Sequence, residues 1–170
     1  MHRHAPVQNI FVYRAQDVRA SDGVNRGDAL GVMEDLVPDD NYLIADGAKR
    51  SRLAIQMDGQ GQMQIEGSTE TGRPGAALHL DCVMFMMSPQ GRPHEALVLV
   101  ELAEDEAVGS VYLLPLSDLR PGITYHIVSM ERRAARRKFA EVACLSFARD
   151  THITMSSGAQ VPVQDLRGGD

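Results

Sequence analysis

Two side chains near the end of the sequence offer nucleophilic chemistry. Ser146 heads a polar, turn-rich stretch that runs to Asp170, and Cys144 stands just before it. A serine hydroxyl attacks a carbonyl only when a base or an activating environment supports it, whereas a thiolate is intrinsically the stronger nucleophile. Cys144 also reads as a small buried residue at the end of a helix, a common place for cysteine. The nearest base to Ser146 is His152. An extended chain of that length spans up to ~20 Å, so only a tight turn at Arg149-Asp150 would bring its ring back. We read it as a histidine on a strand face.

Other candidates lie upstream. His79 and Asp81 fall on one predicted strand and His126 on another, and a conventional enzyme would need them to converge. Their spacing matches no zinc signature, so they read as ordinary strand residues. The basic run Arg132 to Lys138 suits an acidic partner or a solvated helix face, and the latter fits better because its one aromatic, Phe139, belongs to the core. Met84-Phe85-Met86-Met87 reads as core filling. Gly72-Arg73-Pro74-Gly75 lacks the strand–loop–helix context of a phosphate loop.

The elements that must position these groups are mostly strands. Ile10 to Tyr13 is rich in β-branched and aromatic residues. Tyr42 to Ala45 stops at Asp46-Gly47. Leu53, Ile55 and Met57 alternate with Arg52, Ala54 and Gln56, turn at Asp58 to Gly61, and return through Met63 and Ile65 as a hairpin. Leu78, Leu80, Cys82, Met84 and Met86 share one face of a long strand, opposite His79, Asp81, Val83, Phe85 and Met87. Ala96 to Val100 is apolar on both faces and belongs at the centre. Val111 to Leu114 and Ile123 to Val128 follow, each set off by Gly/Pro turns. Asp28 to Leu36 has the spacing of one short helix, weakened by Gly31. Glu131 to Ala143 has Ala135, Phe139 and Val142 on one helical stripe. Arg133, Arg136 and Arg137 lie on the opposite side, and Arg132 and Lys138 flank the stripe. Seven or so strands with little helix predict a β-sandwich or barrel-like domain over residues 1–143, with one short helix near its end.

The 170 residues suit one domain or one domain and a fragment, and the net charge of −6 argues against nucleic acid as the default partner. No apolar run approaches the ~20 residues that span a bilayer. The N-terminal stretch lacks the apolar segment and small-residue site of a Sec signal peptide, so the expected location is cytoplasmic, or exported by another route. Cys82 and Cys144 make no disulfide framework, and Cys82 is expected to be a buried free thiol.

Residues 146–170 have an order of their own. Ser146-Phe147 is followed by Thr151, then by an alternating strand to Met155. Ser156-Ser157-Gly158 forms a turn, Val161-Pro162-Val163 a strand of edge type, and Leu166-Arg167 with Gly169-Asp170 a second turn. This order resembles the opening of a Hint domain, the fold shared by hedgehog autoprocessing domains and inteins, in its bacterial form. Asp150 stands where that pattern has Gly, and Gly168 where it has Pro. The Phe-x-x-x-Thr spacing places the first position at Ser146 rather than Cys144.

The resemblance implies that residues 144–170 are a β-hairpin fragment, the truncated start of a Hint module. It implies that Ser146 is the acyl-shift nucleophile and Leu145 the acyl-bearing residue, with Thr151 supporting the first strand and Cys144 the alternative nucleophile. In the intact family the reaction is single-turnover self-cleavage or splicing in cis, without cofactor or metal. A Thr-x-x-His block further along supplies its histidine, and residues 146–170 contain no such block. The alternative expectation is a β-domain that binds a protein, glycan or small molecule, with a vestigial tail. The sequence fixes neither that ligand nor an oligomeric state.

Overall fold

The computed structural model describes residues 6–57 and 62–142. Nine strands and one helix of more than a single turn occur among them. The strands are β1 (Gln8–Arg14), β2 (Val18–Asp22), β3 (Asn41–Ile44), β4 (Ser51–Met57), β5 (Met63–Ile65), β6 (Ala77–Met87), β7 (Pro93–Leu102), β8 (Val108–Pro115) and β9 (Thr124–Glu131). Helix α1 runs from 135 to 142, the last described residue.

Every strand pairing is antiparallel. Strands β6, β5, β4, β1, β8 and β7 follow one another edge to edge, and β7 pairs back with β6 to close a six-stranded barrel. A second branch leaves β6 through β9 and continues to β3 and β2. Strand β6 serves both. On one side it pairs with β7 from Leu78 to Met87. On the other, β5 meets only Ala77 and Leu78, and β9 takes over from Val83 to Met87.

This arrangement gives two cores. Ile10, Val12, Leu53, Ile55, Leu97, Leu99 and Leu114 fill the barrel. Tyr42, Ile44, Met84, Met86, Val98, Leu113 and Ile127 form a second cluster, outside the barrel wall and beneath the β9–β3–β2 branch. Strand β7 lies between the two, with Leu97 and Leu99 inward and Ala96 and Val98 outward, all fully buried. That is why its sequence is apolar on both faces. The loop between β2 and β3 adds Leu30 and Leu36 to the outer cluster.

Several expectations change in detail. The regular alternation along β6 predicted a single apolar face from Leu78 to Met86. The register instead slips between Leu80 and Cys82, leaving Asp81 as an extra residue. Leu78 and Leu80 therefore face the barrel with Val83 and Phe85, while Cys82, Met84 and Met86 face the outer cluster. A bulge shifts the side-chain phase by one residue, so both faces of one strand can be apolar beyond it.

The helix expected over Asp28 to Leu36 reduces to a single 3-10 turn, Met33–Asp35. Its neighbour Gly31 would bring any added Cβ to 3.0 Å from a carboxylate oxygen of Asp35. Strand β2 was not anticipated, because only Val18 and Ala20 are buried in it. Strand β9 runs on to Glu131, so α1 begins later than its periodicity suggested. The stripe itself is as read: Ala135 and Phe139 are buried against the barrel core, and Val142 packs beside them.

Candidate functional site

The feature of the described residues that best suits a ligand is a groove of about 720 Å3 between α1 and the β4–β5–β6 corner of the barrel. It lies at the junction where β5 has left β6 and β9 has not yet joined it. Among the described residues, His79, Leu80 and Cys82 have a strand partner on the β7 side alone, and Asp81 has none. The residues that follow β9 turn across this opening and lead into α1.

The floor is apolar: Met57, Met63, Leu78, Leu80 and Phe139 line it. Leu78 and Met63 belong to the barrel core, whereas Met57 is 44% exposed at the mouth. The rim is basic. Arg132, Arg133 and Arg136 line it from the start of the helical segment, and His79 lines it from β6.

These arginines are not equivalent. Arg132 donates to Oε2 of Glu34 at 2.5 Å and stands 3.8 Å from Oδ1 of Asp81. The hydrogen bond from Arg132 holds the Glu34 carboxyl below its ordinary range, and the same bond raises the guanidinium of Arg132 above its own. Arg133 and Arg136 are exposed and have no ion-pair partner among the described residues. Lys138, on the same segment, is paired with Glu95 at 2.8 Å.

Asp81 ties this region together. Its Oδ2 accepts the backbone N–H of Met33 at 2.7 Å, which fastens the β2–β3 loop to the bulge. Next to it, Cys82 is a buried free thiol, as expected. Burial, reinforced by the charge of Asp81, pushes its pKa up to about 12. A thiol so raised stays protonated and is a poor nucleophile.

The strand histidines do not converge. His126 lies opposite Met87 at the far end of β6 and contacts Asn41 at 2.9 Å and Asp39 at 3.1 Å. His79 lies opposite Val100. From 79 to 87 the strand rises roughly 25 Å at ~3.3 Å per residue. No group of three or more His, Cys, Asp or Glu suited to a metal ion occurs among the described residues. No described helix is long and apolar enough to cross a membrane.

Two buried carboxylates serve the fold. Asp40 accepts the backbone N–H groups of Val24 and Asn25. Glu101 accepts the hydroxyl of Tyr112 at 2.7 Å and the N–H of Arg73 at 3.4 Å, which anchors the loop before β6 to the barrel.

Cys144, Leu145, Ser146, Thr151 and His152 lie outside the described residues, as does the hairpin expected beyond them. The groove was not anticipated. Arg133 and Arg136, read as lying opposite the stripe, line the groove together with Ala135 and Phe139, and its floor comes from strands far away in the chain. Compared with known proteins, the chain matches no family model, no curated protein and no solved structure.

Proposed function

We propose that the chain joins a β-barrel domain to the opening of a Hint-type autoprocessing module, with Ser146 as its acyl-shift nucleophile. The observation that carries this reading is the order of residues 146–170: Ser146-Phe147, Thr151, the Gly158 turn, and Leu166-Arg167 with Gly169-Asp170. Its place in the chain supports it. The barrel strands end at Pro115 and the branch at Glu131, and α1, packed on the barrel through Ala135, Phe139 and Val142, stands a few residues before Ser146 in the chain.

In this reading Ser146 Oγ attacks the carbonyl carbon of Leu145. A C–O bond forms, the C–N bond breaks, and the hydroxyl proton ends on the amine of Ser146. The resulting ester yields to water or an added nucleophile far more readily than the amide did. Departure of the amine and the oxyanion both need support. Among residues 146–170 the one histidine is His152, and cleavage of the chain's own peptide bond is a single-turnover event.

Intact mass followed over time, with and without hydroxylamine, tests the reading. The expected result is slow, hydroxylamine-dependent scission between Leu145 and Ser146, abolished by Ser146→Ala. Scission before Cys144 would transfer the role to that residue, with fragment masses displaced by two residues. A single unchanged mass under all conditions would remove the activity and leave residues 146–170 with a shared ancestry alone.

A second reading has its own observation, the groove beside α1. An apolar floor with a few charged groups at its rim is the usual make-up of a small-molecule site. In this reading the barrel is a binding module, and its role is separate from the chemistry at Ser146.

A further inference from the structure

The groove specifies more about its occupant than its size does, and the following rests on the reading of the barrel as a binding module. Its volume, about 720 Å3, falls in the range of roughly 300–1,000 Å3 typical of small-molecule sites. The floor takes its apolar surface from Met57, Met63, Leu78, Leu80 and Phe139, with Gln62 as an uncharged polar neighbour. Flexible thioethers and an aromatic ring adapt readily to an alkyl chain.

The rim sets the charge. The chain as a whole carries −6, yet Arg132, Arg133, Arg136 and Arg137 crowd into a single short stretch. Arg132 is neutralised by Glu34, with Asp81 nearby. Arg133, in the turn before α1, and Arg136, in its first turn, both line the groove, and neither has an ion-pair partner among the described residues. Planar guanidinium groups are well suited to grip a carboxylate in bidentate fashion. An apolar floor and a positive rim with no ion-pair partner for Arg133 or Arg136 among the described residues meet within one cavity.

We propose that this groove binds a single-chain anionic amphiphile of the fatty-acid class, with its alkyl chain on the methionine–leucine–phenylalanine floor and its carboxylate at Arg133 and Arg136. Neither arginine is needed by the core, since both are exposed. The junction between β5 and β9 gives the alkyl chain its way in toward Leu78 and Leu80.

The chain contains no tryptophan, so Met57→Trp places a single fluorescent reporter at the mouth of the groove. Dodecanoate is titrated below its micellar concentration, with calorimetry on the unsubstituted chain as an independent readout. The expected result is saturable binding of one dodecanoate per chain. Decanoate should bind roughly tenfold more weakly, from the loss of two methylenes. Arg133→Glu together with Arg136→Glu should weaken dodecanoate at least tenfold while leaving the unfolding midpoint in place.

Dodecanol bound as tightly as dodecanoate in every variant would overturn the anionic part and leave the barrel as a binder of neutral apolar ligands. Binding seen to anionic phospholipid vesicles but not to dodecanoate would overturn the proposal in favour of a membrane-surface contact. No saturable signal with any of these, by fluorescence or by heat, would overturn it and deprive the binding-module reading of its site.

Discussion

The carboxylate of Asp81 accepts the backbone N–H of Met33 at 2.7 Å across 48 residues of sequence. Asp81 is the extra residue of the β6 bulge, and Met33 begins the 3-10 turn of the loop that covers the outer core. The bond therefore links the phase shift in β6 to the layer that needs it, because Leu30 and Leu36 of that loop belong to the same buried cluster as Met84 and Met86 beyond the bulge. Asp81→Ala leaves a half-buried N–H without its acceptor and should cost about 1–3 kcal/mol. Asp81→Asn keeps an acceptor oxygen and should cost less than half as much. Urea unfolding of the two variants checks this. Equal losses would mean that the charge beside Arg132, and not the hydrogen bond to Met33, is what matters.

The pair Tyr112 and Glu101 gives a pH dependence with a definite sign. Tyr112 is 3% exposed and donates to Glu101 at 2.7 Å. Burial first, and then that hydrogen bond and the nearby carboxylate charge, raise its pKa well above the ordinary 10.0. Burial also raises Tyr42. Below pH 10 both phenols are neutral whether the chain is folded or not, so they make no pH-dependent contribution. Above it the unfolded chain loses these protons while the folded chain keeps them, and stability falls as pH rises. The midpoint of thermal unfolding should drop steadily above pH 10. Tyr112→Phe should reduce that slope, although it costs about 1–3 kcal/mol at neutral pH by leaving Glu101 short of a donor. A slope unchanged in Tyr112→Phe would place the alkaline sensitivity elsewhere.

What the sequence revealed follows from how local each signal was. Strand β7 announced itself, since five consecutive apolar residues from Ala96 to Val100 fit a strand covered on both sides. The helical stripe of Ala135, Phe139 and Val142 was equally plain, because spacing alone defines it. The bulge at Asp81 was hidden. Alternation from Leu78 to Met86 looks unbroken, and the slip is fixed by Met33 and Arg132, which lie far away in sequence. Strand β2 was missed because it offers two small apolar residues and is held by pairing to β3. The groove was illegible for the same reason as the bulge. Its arginines lie close together in sequence, but Met57, Met63 and Leu80 join them only through barrel closure.

The end of α1 bears on the division of the chain. Every strand of the barrel and the branch lies before residue 132, and the last described contributions to the barrel core are Ala134, Ala135, Phe139 and Val142. If residues 1–143 form one domain and residues 144–170 open another, a chain ending at Val142 should unfold cooperatively. Its melting midpoint should lie within about 2–4 °C of the full chain, the shift that ~1 kcal/mol produces in a domain of this size. A chain ending at Arg133 is the contrasting case. It loses the buried Phe139, whose removal alone is worth about 3–5 kcal/mol, and it uncovers Leu78 and Met63 at the groove. That chain should melt far lower or fail to stay soluble. Calorimetry on both truncations decides the matter. A large loss already at Val142 would mean that the later residues are part of the barrel's own stability, and the boundary near residues 143–146 would have to be abandoned.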